Sequence, residues 1–283
     1  MPIKFRKVSA KDSIFIKTRE KLLKDYVYFQ EYADNLTEQA GRAKDNKSGK
    51  GRSYANYLIR LVVFYQELSE SEVNELLTFA TLKEIEKVVN SEGFKRFNKN
   101  ESHFPSAAFN CYISCITHIN AEKEEKLDLQ INNNIETSFD EDKSNNTSSI
   151  IERAQEREEM VITNGVSTYP RRIEESLEAK RRSNWQCELN SNHTTFISQA
   201  NKKPYMESHH LIPMAAQGYF ENTLDFADNI ICLCPNCHRK IHHVTSQEKK
   251  EILKYLFKKR EQRYLKFGIN VNFKMLLNFY EII

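Results

Sequence analysis

The sequence predicts a mostly helical α+β chain. A helical bundle over residues 1–120 is followed by an acidic flexible linker over 121–164. A second domain over 165–283 is built on a small ββα unit. Three observations predict this. Apolar residues recur at helical spacing through the first 120 residues. Residues 121–160 hold twelve Asp/Glu against five Lys/Arg, a balance of −7, so the rest of the chain carries +10 and the whole chain +3. Five of the eight histidines and three of the six cysteines crowd into Glu207 to His243.

Within residues 1–120, SYANYLIRLVVFYQEL (Ser53 to Leu68) opens on a residue suited to capping and is apolar almost all round, which predicts a buried central helix. Thr81 and Glu84 have the spacing of a capping box ahead of Leu82, Ile85, Val88 and Val89. Phe104 to Ile119 repeats helical spacing through Ala108, Tyr112, Cys115 and Ile119. Cys111 and Cys115 read as small core residues, and His103 and His118 as structural. The loop GRAKDNKSGKGR (Gly41 to Arg52) sets five basic residues against one acid, so Lys44, Lys47, Lys50 and Arg52 are candidates to track a phosphate backbone; a solvated surface loop is the competing reading.

Residues 121–164 are rich in Asn, Ser and acids with almost no aromatic residues, the composition of a tether. Ser148 to Met160 has a helical pattern, as the end of that tether or the first helix of the next domain. Tyr205 to Ile212 and Asn229 to Leu233 are β-rich runs joined by a polar, Gly-containing loop, which predicts a hairpin. Pro235 and Asn236 then make a turn, and a helix from His238 places His238 and His242 one turn apart on one face. Ser246 onward is helical, basic on one side through Lys249, Lys250, Lys254 and Lys258 and apolar on the other through Ile252, Leu253, Leu256 and Phe257. The terminal VNFKMLLNFYEII must bury itself against this domain, the N-terminal bundle or a second copy of the chain.

The charged start MPIKFRKVSA and the lack of an apolar run near 18 residues predict a soluble, cytoplasmic chain with no membrane association. Cysteines spaced as CxxC, CxC and a helical pair in a large charged chain read as thiols or metal ligands rather than disulfides.

The pattern of a His-His pair, an Asn, a CxxC and His-x-x-x-His resembles the HNH nuclease family (ββα-metal nucleases) from about Tyr169 to His243. The resemblance implies that His209 is a strand metal ligand and His210 the general base. It implies that Asn229 steadies the hairpin loop and orients the base, with His238 and His242 as helix ligands. The implied cofactor is a divalent ion, Mg²⁺, Mn²⁺ or Ni²⁺. His209 stands where other relatives carry Asp, which leans the site away from Mg²⁺. A structural zinc knuckle alone is the bland alternative, but a knuckle needs four ligands and this segment offers more. The lead-in TYPRRIEESLEAKRRSNWQCEL resembles the McrA-type branch and offers Arg171, Arg172, Arg181 and Arg182 to phosphates. Relatives carry a second Cys shortly after the first. Here only His193 is near, so the structural Zn²⁺ set becomes Cys187, His193, Cys234 and Cys237, with Cys232 a substitute for His193.

SYANYLIRLVVFYQEL and FPSAAFNCYISCI are similar to two helices of the core-binding domain of tyrosine recombinases, a DNA-clasping bundle; a partner-binding or dimerising bundle is the alternative. Together these resemblances imply an endonuclease that hydrolyses phosphodiester bonds of double-stranded DNA in a restriction or phage-defence setting, with a homodimer or a defence-system protein as further partner. The competing class is a DNA-binding or interaction protein whose HNH module is inactive or partner-controlled.

Overall fold

A computed structural model describes residues 3–41, 50–137, 150–163 and 166–283, so Lys44 and Lys47 lie outside the described residues. The chain divides into two compact units, one of Met1–Ile119 with Asn278–Ile283, the other of Asn120–Leu277. No helix among the described residues is long and apolar enough to cross a membrane.

The first unit is all helical: α1 (Ser13–Lys21), α2 (Leu23–Gln39), α3 (Lys50–Ser69), α4 (Phe79–Val89), α5 (Phe94–Asn100) and the start of α6 (Phe104–Thr137). The apolar run in α3 makes it the central helix, with Leu58, Ile59, Leu61, Val62, Val63 and Phe64 all buried. It packs on α1, α2 and α4. Two expected caps move. Helix α3 already includes Lys50, so Ser53 lies inside its first turn. The reason is Gly51, whose N–H donates to Asp34 Oδ1 at 2.9 Å, and whose missing Cβ would lie 2.5 Å from the Gln30 carbonyl oxygen. Helix α4 is capped by Thr78, which accepts from Thr81 N at 3.1 Å, while Glu84 pairs with Lys87. Cys111 and Cys115 are buried core residues, as expected. The last residues of the chain join this unit: Glu281 accepts from Tyr32 Oη at 3.1 Å and lies 2.9 Å from His118 Nδ1.

In the second unit, residues 150–160 form no helix, contrary to the periodic pattern. Their backbone N–H groups are taken from outside: Ile151 donates to Glu175 Oε1, Ala154 to the Lys266 carbonyl and Arg157 to the Glu221 carbonyl. An antiparallel hairpin follows, β1 (Val161–Thr163) with β2 (Val166–Thr168). Helix α7 (Ile173–Arg182) packs on the second hairpin, β3 (Glu207–His210) with β4 (Ile230–Leu233). Helix α8 (Pro235–His243) completes a ββα unit. It starts at Pro235, three residues before the expected His238, because a proline in the first helical position lacks only an N–H that would have no helical partner. Helices α9 (Ser246–Lys258), α10 (Glu261–Tyr264) and α11 (Phe273–Phe279) follow. The apolar face of α9 is buried at Leu253, Leu256 and Phe257.

Candidate active site

The β3/β4 register sets His209 opposite Ile231 and His210 opposite Ile230. Adjacent strand residues point to opposite faces, so the two histidines enter different surroundings. His209 meets α8, with ring centroids 5.1 Å from His238 and 5.0 Å from His242. Helical spacing stacks His238 and His242, whose Nε2 atoms are 3.2 Å apart. Candidate ligand atoms of His209, His238 and His242 all lie within 4.8 Å of one another. Three imidazoles converging this closely are a donor set suited to a borderline divalent ion.

Glu207 lies two residues before His209 and therefore on the same face of β3. Its Oε2 is 2.6 Å from His238 Nδ1. A carboxylate only accepts, so Nδ1 carries the proton and Nε2 presents its lone pair toward His209 and His242. That bond holds the Glu207 carboxyl below its usual range, against the opposing effect of burial.

His210 makes a different set of contacts. Its Nε2 is 2.8 Å from Asp225 Oδ1, and both residues are almost wholly buried. Asp225 Oδ2 accepts the Arg172 backbone N–H at 2.5 Å. The same acceptor logic leaves the neutral ring with its lone pair on Nδ1, which lies 3.5 Å from Arg171 Nη1.

Asn229 is fully buried and uses its whole amide. Its Oδ1 accepts from Ile212 N at 2.9 Å and Tyr264 Oη at 3.2 Å, and its Nδ2 donates to the Ile212 and Leu224 carbonyls at 3.0 and 2.9 Å. It thereby closes the loop between β3 and β4. None of these bonds reaches His210, whose ring bonds Asp225 and Arg171.

A second cluster stands apart in chemistry. Cys187, His193, Cys234 and Cys237 place ligand atoms within 4.8 Å of one another. His193 Nδ1 is 3.5 Å from Cys234 Sγ and 3.3 Å from Cys237 Sγ. Three thiols and one imidazole match a closed tetrahedral zinc set. Burial acts to raise the Cys187 thiol, but backbone N–H groups of Cys234, Asn190 and Leu189 and the His193 side chain outweigh it and bring the thiol down to about 7. Burial, with the neighbouring Cys234 and Cys187, pushes Cys237 up. Cys232 is outside this group; buried on β4, its thiol is pushed up to about 12 by burial.

Of the expected phosphate contacts, Arg171 stands beside His210. Arg172 pairs with Glu158 at 2.9 Å, Arg181 with both oxygens of Glu178, and Arg182 with Glu178 and Asp228. Lys50 and Arg52 open α3 in the first unit. Glu207 and Asp225 carry no role in the motif reading. Glu207 has a local signal in its strand phase, whereas Asp225 sits in the connecting loop and has none.

Residues 194–244, which contain the second hairpin and α8, match the HNH endonuclease family. Among curated proteins, the type IV methyl-directed restriction enzyme EcoKMcrA of Escherichia coli (strain K12) is 43% identical over 54 residues, 19% of this chain and 17% of the relative. The chain thus matches less than a fifth of that relative's length. No solved structure matches. The family match lies outside residues 1–120, and the recombinase likeness of that half finds no support in these comparisons.

Proposed function

We propose that this chain is a metal-dependent HNH endonuclease that hydrolyses phosphodiester bonds of duplex DNA, in a restriction or phage-defence role. The observation that carries the reading is the convergence of His209, His238 and His242, with the buried His210–Asp225 pair formed by the next residue of β3. His209, His238 and His242 would hold the divalent ion, Mn²⁺ or Ni²⁺ more readily than Mg²⁺ because all three donors are imidazoles. When bound, that ion would supply polarisation of the scissile phosphate and stabilisation of the leaving oxygen.

The chain's own groups do the rest. Asp225 accepts a hydrogen bond from His210 Nε2–H and fixes its ring, leaving Nδ1 to take a proton from the attacking water near neutral pH. Arg171, beside that nitrogen, holds a phosphate oxygen. Glu207 keeps His238 in the ligating tautomer. Cys187, His193, Cys234 and Cys237 would hold a structural zinc that ties the residues after α7 to the start of α8.

The relative's methyl-directed activity suggests modified DNA as a substrate class here too. The test is digestion of unmodified plasmid, cytosine-modified plasmid and phage DNA, each with Mg²⁺ and with Mn²⁺. Cleavage of at least one DNA that disappears in His210→Ala is the expected result. Absence of cleavage on all three, or equal cleavage by the variant, would overturn the nuclease reading.

A further inference from the structure

Between Cys187 and β3 the chain makes a short projecting turn. Ser198 N donates to the Lys203 carbonyl and Tyr205 N to the Phe196 carbonyl, both at 2.9 Å, and Ile197 bridges Pro204. The Phe196 ring stacks on Tyr205, with centroids 4.8 Å apart and planes 19° apart. Yet Phe196 is 65% exposed and Ile197 60%. An aromatic ring covered on one face and open on the other is costly to leave in water. It offers a flat surface on which a third ring can stack.

Three observations say what that ring belongs to. Lys202 and Lys203 are exposed in the same turn, and no Asp or Glu occurs between Glu188 and Glu207, so the projection is uniformly cationic. It is braced at both ends, by His193 in the Cys₃His cluster and by β3. It also connects to the histidine cluster: Tyr205 Oη donates to Glu207 Oε1 at 3.4 Å, and Glu207 Oε2 holds His238. A polyanion that carries flat rings is nucleic acid.

Resting on the nuclease reading, the geometry points to Phe196 as a stacking platform for a nucleobase displaced from the stack of the bound DNA next to the cleaved bond, with Lys202 and Lys203 on the adjoining phosphates. Tyr205 is the underlayer that links this platform to Glu207. Base stacking on an aromatic side chain is tolerant of sequence, so the contact would set the position of the strand without reading it.

The test uses the intact chain carrying His210→Ala, loaded with Zn²⁺ and Mn²⁺, and fluorescence anisotropy on single-stranded and duplex DNA oligonucleotides over a salt series. Zinc content and circular dichroism check that each further variant is folded, which the exposure of Phe196 favours. Phe196→Ala and Phe196→Leu should each weaken binding by about 5- to 150-fold, while Phe196→Trp restores it. Because no charge is lost, the slope of log affinity against log salt should stay that of the parent; Lys202→Ala with Lys203→Ala should lower that slope. Phe196→Ala binding within about twofold of the parent, or Phe196→Leu binding as well as the parent, would overturn the platform while leaving the nuclease reading intact. Failure of the parent itself to bind DNA at low salt would overturn that reading, and the platform with it.

Discussion

Asp225 makes a specific claim at the scale of single residues. Its carboxylate bonds His210 Nε2 and the Arg172 backbone N–H, so Asp225→Asn keeps size and burial but can offer an N–H where the ring needs an acceptor. Single-turnover cleavage by Asp225→Asn should fall by roughly 10²–10⁴-fold, as expected for disabling a general base, with DNA affinity and bound metal unchanged. A variant that cleaves at the parental rate, or that loses metal instead, would remove the positioning role. Glu175 behaves differently. Burial raises its carboxyl to about 7, even though it accepts N–H groups from Ile151 and Ala227. A carboxyl raised above its unfolded value of 4.5 is protonated in the folded state and ionised in the unfolded state between those two values. Its contribution to stability is therefore full below about pH 4.5 and is lost as pH climbs through 7, by up to about 3 kcal/mol. Melting curves between pH 5 and 8 should show that slope, and Glu175→Gln should flatten it; an unchanged slope in Glu175→Gln would assign the effect to other groups.

At the scale of elements, the Cys₃His cluster joins a segment after α7 to the turn that starts α8, pieces too short to hold each other by apolar burial alone. A structural zinc supplies on the order of 10 kcal/mol toward folding, comparable with the whole stability of a domain. The purified protein should therefore carry about one tightly bound zinc per chain, and Cys187→Ser, Cys234→Ser or Cys237→Ser should yield an insoluble or unfolded second unit. Cys232→Ser should keep the zinc, since Cys232 lies outside the cluster. Elemental analysis decides both points, and active protein without zinc would refute the assignment.

At the scale of the whole molecule, the two compact units do not coincide with a simple cut of the chain. The N-terminal unit takes in Asn278–Ile283, and residues 150–163 are bonded into the second unit at Glu175, Glu221 and Lys266. A fragment starting at Ser149 should consequently be more stable to heat than one starting at Asn164, although both retain every histidine and cysteine of the two clusters. Equal melting temperatures would show that the Ile151–Glu175 and Ala154–Lys266 bonds contribute nothing. Both fragments should nick DNA with little preference, because phosphate contacts position an enzyme without reading sequence.

The amino-acid sequence by itself determined whatever depends on short-range spacing. The i,i+4 pair His238 and His242, the CxxC at Cys234 and Cys237, the His209–His210 doublet and the apolar run of α3 each declare their geometry within a few residues, since helix and strand periods are set by the backbone. The loop-closing place of Asn229 came from the family resemblance rather than from spacing, and its amide bonds Ile212 and Leu224. Only the tertiary structure decided what meets across the chain. Asp225 reaches His210 because a long loop folds back. His193 rather than Cys232 joins the thiols, and Cys232 is buried within β4 beside Ser183 at the end of α7 instead. Residues 150–160 lose their helical pattern to outside acceptors, and the terminal residues return to the first unit through Glu281. Those choices are made by long-range burial and by the demand that every buried donor find an acceptor, and no local pattern carries either.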